Sequence, residues 1–141
     1  MQTINRVVWV NGCFDILHRG HIELFKFAKQ TAGENGKVIV GIDTDKRVSL
    51  MKGTTRPFNC QKDRKYVLES IGYIDNVYVF GDDSQLKNLI KVNKCDTMIV
   101  GSDWKGKPVI GSELVANVFY FERIENYSTT RILESKRDVC I

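Results

Sequence analysis

Apolar residues follow two rhythms along the chain. Five short runs are almost continuously apolar: Val7–Val10, Val38–Ile42, Val77–Phe80, Met98–Val100 and Val118–Phe121. Runs of this length and composition read as strands covered on both faces. Between them the spacing changes. Ile22, Phe25 and Ala28 stand three apart, with Leu24 four before Ala28; Val67, Leu68 and Ile71 make a second stripe, and Leu86, Leu89 and Ile90 a third. Those spacings put each set on one face of a helix. Strands alternating with helices imply right-handed βαβ crossovers. The fold class predicted is α/β: a Rossmann-like, doubly wound, mostly parallel five-stranded sheet with helices on both faces.

In such sheets ligands sit beyond the carboxyl ends of the strands, where the strand order reverses. The segments that follow strands, residues 11–21, 43–59, 102–110 and 122–130, are therefore where chemistry is expected, and the unusual motifs of the chain, Arg64 apart, fall in them.

Composition narrows the class. At 141 residues the chain predicts a single domain over 1–141, able to bury roughly two-thirds of its unfolded surface without a disulfide or metal. Apolar residues at 43% and charged residues at 27% exclude a disordered chain. A net charge of +4 is too mild to call for nucleic acid. The apolar runs are too short to span a bilayer, and the polar start lacks a signal peptide's apolar stretch. Cys13, Cys60, Cys95 and Cys140 are far apart and the only two histidines are neighbours, so no zinc cage is expected. Four reduced thiols point to a cytoplasmic protein.

The richest segment is Asn11-Gly12-Cys13-Phe14-Asp15-Ile16-Leu17-His18-Arg19-Gly20-His21, after the first strand and opening the first helix. Both imidazoles can point at one spot near a positive helix end, and Gly20 lets the backbone approach a ligand. Histidines there can donate to phosphate oxygens and stabilise charge that grows in a transition state.

Gly-x-Phe-Asp-x-x-His-x-Gly-His resembles the signature of the cytidylyltransferase-like nucleotidylyltransferases, which share His-x-Gly-His with class I aminoacyl-tRNA synthetases. The resemblance implies transfer of a nucleotidyl group from a nucleoside triphosphate to a small phosphate monoester, with Mg2+ as cofactor and pyrophosphate as the second product. It implies that His18 and His21 stabilise the transition state, and that Cys13, Phe14, Asp15, Arg19 and Gly20 lie on the nucleotide. A synthetase is not expected at this size, with nothing left over for an anticodon-binding domain.

Four further segments fit that reading. Met51-Lys52-Gly53-Thr54-Thr55-Arg56-Pro57 sets two cations in a loop after the second strand, where reacting phosphates need neutralising. It resembles the Lys-Gly-x-x-Arg-Pro loop of heptose-phosphate adenylyltransferases, which implies that Lys52 acts in catalysis and, with Arg56, binds the acceptor. Arg64 sits in the first turn of the second helical pattern, where the helix dipole disfavours a cation. A salt bridge to Asp63 or Asp75 accounts for it as well as a substrate does; relatives carry an arginine in a similar context, so Arg64 joins the acceptor-binding candidates. In Gly101-Ser102-Asp103-Trp104-Lys105-Gly106-Lys107, Asp103 is expected on the nucleotide side, to hydrogen-bond a substrate hydroxyl or help hold a cation, and Trp104 to form a wall. Last, Arg123-Ile124-Glu125-Asn126-Tyr127-Ser128-Thr129-Thr130 resembles the family's second signature, Arg-Thr-Glu-Gly-Ile-Ser-Thr-Thr. That assigns Arg123 a catalytic role and puts Glu125, Ser128, Thr129 and Thr130 on the nucleotide. The departures are Ile124, Asn126 and Tyr127.

Two branches of the family compete. The first signature, the Lys52 loop and Ile110-Gly111-Ser112 with Val115 resemble the adenylyltransferase that makes ADP-heptose. Asp103-Trp104-Lys105-Gly106-Lys107 and Arg123 resemble glycerol-3-phosphate cytidylyltransferase. Arg123 favours CTP and a polyol phosphate acceptor, feeding surface polysaccharide synthesis; ATP with heptose 1-phosphate is the alternative. A nucleotide-binding module without catalysis, and a flavin or pantetheine adenylyltransferase, also stay open. The resemblance implies a homodimer, a metal held by phosphates rather than by protein ligands alone, and no nucleic-acid or membrane partner.

Overall fold

The computed structural model describes residues 4–122. The chain runs β1 (Val7–Gly12), α1 (Arg19–Ala32), β2 (Lys37–Asp43), α2 (Asp45–Lys52), α3 (Gln61–Glu69), β3 (Asn76–Phe80), α4 (Asp83–Val92), β4 (Thr97–Gly101) and β5 (Asn117–Phe121). The five strands form one sheet in the order β3-β2-β1-β4-β5. All four pairings are parallel. The order reverses between β1 and β4, so the crevice expected for a ligand opens where these two strands end.

The pleat sorts the core into two layers. Val8, Val10, Val38, Val40 and Ile42 point to one face of the sheet and pack with Phe25, Ala28 and Ala32 of α1 and Leu68 of α3. Trp9, Ile39 and Met98 point to the other face and meet Leu86 and Ile90 of α4. Successive side chains on a strand alternate faces, so a strand with helices on both sides is apolar at every position. That is why the strands read as continuous runs. Gly41 leaves no room for a side chain: a Cβ there would overlap Cζ2 of the fully buried Trp9.

Three sequence expectations need adjusting. Ile22 is 37% exposed and stands outside the α1 core stripe. In α3 the inward residues are Arg64 and Leu68, while Val67 is 48% exposed. The residues after Asp43, expected as a loop, begin with helix α2, capped by Thr44, whose hydroxyl accepts from the Arg47 N–H. Lys52 is therefore the last residue of a helix, where a cation is favoured by the helix dipole.

Candidate active site

A cleft of about 710 Å³ opens at the carboxyl ends of the strands, a volume in the range of small-molecule sites. Asn11 and Gly12 at the end of β1, with Cys13 and Phe14 just after it, line its floor, and Gly101 at the end of β4, with Asp103 and Trp104 after it, lines one side. Asp43 of β2 and Arg47, Met51 and Lys52 of α2 line the other; His18, Gly20 and His21 stand at the mouth of α1.

The histidine pair is built by the helix it caps. His18 is the N-cap of α1, with extended backbone, and its Nδ1 accepts the Gly20 N–H at 3.0 Å. The Nδ1 of His21 reaches back to the His18 N–H at 3.2 Å. This is a reciprocal capping box made from two imidazoles. Because each Nδ1 accepts a backbone proton, each neutral ring carries its own proton on Nε2, at the edge away from the helix. The rings stack, with centroids 3.8 Å apart and planes 27° from parallel. Helix formation itself thus sets two N–H donors side by side on a cleft wall.

Phe14 fixes this wall from behind. Its ring meets His21 edge-on at 5.5 Å and Phe25 at 5.1 Å. Its φ of 47° lies in the left-handed region, unusual for a bulky residue and a sign that the surroundings hold it there. Gly12 makes room, since a Cβ at that position would lie 3.0 Å from the Phe14 ring.

Asp15 and Arg64 stand behind the cleft and do not line it, because their side chains have no exposed surface. The Asp15 carboxylate accepts the backbone N–H groups of Phe58 and, at 2.7 Å, of Asn59. Arg64 donates to the carbonyls of Cys13 at 2.9 Å and Asn59 at 3.0 Å, and pairs with Asp45 at 2.8 Å. Expected on the ligand, these two residues instead tie the β1–α1 loop to the segment after α2 in this structure. The partner of Arg64 is Asp45, neither Asp63 nor Asp75.

Two other expected contacts stand elsewhere. Arg19 is on the outside, 72% exposed at the side chain and 4.0 Å from Glu23. Arg56 packs 3.6 Å from Asp15, its Nε and Nη2 buried without a hydrogen-bond partner among the described residues. Arg123, Glu125, Ser128, Thr129 and Thr130 lie outside the described residues, as does Cys140.

Sequence reasoning passed over Asp43 and Arg47. The Asp43 carboxylate meets Arg47 Nε at 2.8 Å, and the same guanidinium reaches Asp83 at 2.8 Å. Burial pushes the Asp43 carboxyl above its ordinary range, although Arg47, Arg64 and Lys52 pull it back. An acid at the end of a central strand was the signal available.

The thiols separate by environment. Burial pushes the Cys95 thiol up to about 12, and it raises that of Cys13 while Lys52 and Arg64 oppose the shift. The thiolate is the reactive form. Among the three described thiols, a maleimide followed by peptide mapping of the native protein is expected to label the exposed Cys60 first, Cys13 slowly and Cys95 not at all. Because Cys13 lines the cleft, added nucleotide should slow its labelling further. Equal rates for Cys13 and Cys60, with or without nucleotide, would contradict this placement.

The cleft at the strand-order reversal thus has paired imidazole donors on one wall and a lysine on another. The chain belongs to the cytidylyltransferase-like family, whose model matches residues 9–135. Among curated proteins it is similar to the bifunctional protein HldE of Campylobacter concisus, 41% identical over 133 residues that cover 94% of this chain and 27% of that protein. HldE of Nitratiruptor is 42% identical over 132 residues, with 94% and 28% covered. HldE of Helicobacter pylori J99 is 40% identical over 138 residues, with 95% and 29% covered. The chain thus spans under a third of the length of these relatives. Among solved structures, the fold is like that of a lipopolysaccharide core biosynthesis protein from Thermoplasma volcanium, with a TM-score of 0.66 at 20% identity, covering 88% of this chain and all of that one.

Among the described residues no three of His, Cys, Asp and Glu gather as a metal group, and no helix is long and apolar enough to cross a membrane.

Proposed function

We propose that the chain is an adenylyltransferase that joins ATP to heptose 1-phosphate, giving ADP-heptose and pyrophosphate. The observation that carries the reaction type is the cleft with Lys52 on one wall and the stacked His18 and His21 on another. The choice of nucleotide and acceptor rests on the relatives. All those described above are HldE proteins, and their weight falls on the ADP-heptose side of the two resemblances. It outweighs the Arg123 argument for CTP, which lies outside the described residues.

In this reading an oxygen of the acceptor phosphate attacks the α-phosphorus in line. The new P–O bond forms as the bond to the β-phosphate oxygen breaks, and pyrophosphate leaves with that electron pair. The Nε2–H groups of His18 and His21 donate to the oxygens that gain charge. Lys52, held at the end of α2, neutralises the approaching acceptor phosphate. Asp103 and Trp104 bound the nucleotide side. Magnesium fits this donor set as an ion carried on the triphosphate with its waters, with Asp103 the carboxylate that lines that side of the cleft; it would offset phosphate charge.

Pyrophosphate release with ATP and CTP, each against heptose 1-phosphate and glycerol 3-phosphate, tests the proposal. Turnover is expected with ATP and heptose 1-phosphate. Turnover confined to CTP and glycerol 3-phosphate would restore the cytidylyl reading, and nucleotide binding without pyrophosphate release in any pair would leave a binding module.

A further inference from the structure

The side of the cleft made by β2 and α2 carries a three-residue charge cluster that the reaction scheme above does not use. Asp43, at the last position of β2, is buried at 6% exposure yet lines the cleft. Its Oδ1 is taken by Arg47 Nε, and the other limb of that guanidinium is held by Asp83, whose side chain is 56% exposed. Arg47 also lies over the Phe80 ring, 5.3 Å from its centre. A guanidinium clamped at two points and stacked on an aromatic ring cannot swing out to meet a phosphate. It is a strut, and what it holds in place is the Asp43 carboxylate.

Two carboxylates and one guanidinium leave this cluster one negative charge. Asp43 precedes helix α2 and Lys52 ends it, and both line the same cleft, across β1 from Asp103 and Trp104. A ligand whose phosphate is drawn to Lys52 would share the cleft with a fixed carboxylate, which accepts hydrogen bonds and repels further phosphate.

We propose that Asp43, oriented by Arg47, is the acceptor-specificity residue: it accepts a hydrogen bond from a hydroxyl of the phosphorylated polyol or sugar and disfavours an acceptor bearing a second phosphate. The inference rests on the transferase reading above but not on the choice of nucleotide. Asp43 touches the acceptor away from the reacting phosphate, so it governs acceptor binding and not the chemical step. Arg47 is a positioning residue.

The test is steady-state kinetics of the full chain with ATP and either heptose 1-phosphate or the same sugar with a second phosphate at C7. In wild type, kcat/KM is expected to be higher for the monophosphate. Asp43→Asn keeps the shape and removes the charge. It should raise the KM for the monophosphate about tenfold, the effect of one hydrogen bond to a charged group. The KM for ATP and kcat should stay within about twofold, and the preference against the second phosphate should shrink. Asp43→Ser should behave alike, and Arg47→Lys should raise the acceptor KM without restoring tolerance of the second phosphate.

An acceptor KM unchanged in folded Asp43→Asn, or an ATP KM that rises in parallel, overturns the proposal. Loss of native circular dichroism in both Asp43 variants also overturns it, because Asp43 would then be a structural strut. If wild type ignores heptose 1-phosphate but turns over CTP and glycerol 3-phosphate, the adenylyl reading fails alone. The same KM comparison on glycerol 3-phosphate then decides the role of Asp43.

Discussion

Replacing His18 with asparagine, or His21 with glutamine, is expected to cut kcat by about two to three orders of magnitude each while leaving the protein folded. The magnitude is that of removing one preorganised donor to a developing oxyanion. The choice of variant matters because both imidazoles also cap α1. Asparagine is a good N-cap and can place its Oδ1 where His18 Nδ1 now accepts the Gly20 N–H. Glutamine at the third helical position is the ordinary partner in a capping box, able to accept the His18 N–H as His21 does. Each variant keeps the backbone contact and exchanges the imidazole Nε2–H for an amide NH2 that is displaced from the Nε2 position. An alanine at either position would mix lost chemistry with roughly 1 kcal/mol of lost cap. Measured kcat at saturating substrates, beside a denaturant titration, separates the two effects. A cap-preserving variant with near-wild-type turnover would remove the histidines from the reaction.

The second large effect concerns stability. Arg64→Met fills a similar volume but leaves the Cys13 and Asn59 carbonyls without their donor and Asp45 without its partner. Breaking a buried charged network in this way costs about 2–4 kcal/mol, the lower part of the range because Asp45 is partly open to water. Asp15→Asn should cost somewhat less, since one of its two backbone donors would then face an amide group. Asn59 is held through its carbonyl by Arg64 and through its N–H by Asp15, so the double variant should lose less than the two single losses combined. Urea unfolding of the four proteins gives the comparison. Full additivity would mean that the two residues act independently, against a shared tie between the two loops.

The strands were legible in the sequence because burial on both faces removes polar residues from every position. All five appear where the apolar runs stand, each a residue or two longer in most cases. Helix α2 was not legible for the opposite reason: among its residues only Val48 is buried, so it leaves no apolar stripe. Its start signal, Thr44 followed by Asp45, is a common loop motif too. The first signature located the cleft, yet a motif does not say which of its side chains face the ligand. His18 and His21 line the cleft, whereas Asp15, in the same motif, turns away to hold Phe58 and Asn59. That division depends on contacts with residues more than 40 positions later. The same holds for Asp43, whose strut is completed by Asp83 from another crossover.

The most direct measurement of the central claim is a competition. Equal ATP and CTP are offered with equal heptose 1-phosphate and glycerol 3-phosphate in one reaction with magnesium, and the nucleotide-linked product is identified by mass spectrometry. The account predicts ADP-heptose as the main product, formed in step with pyrophosphate. A CDP-linked polyol as the main product would contradict it.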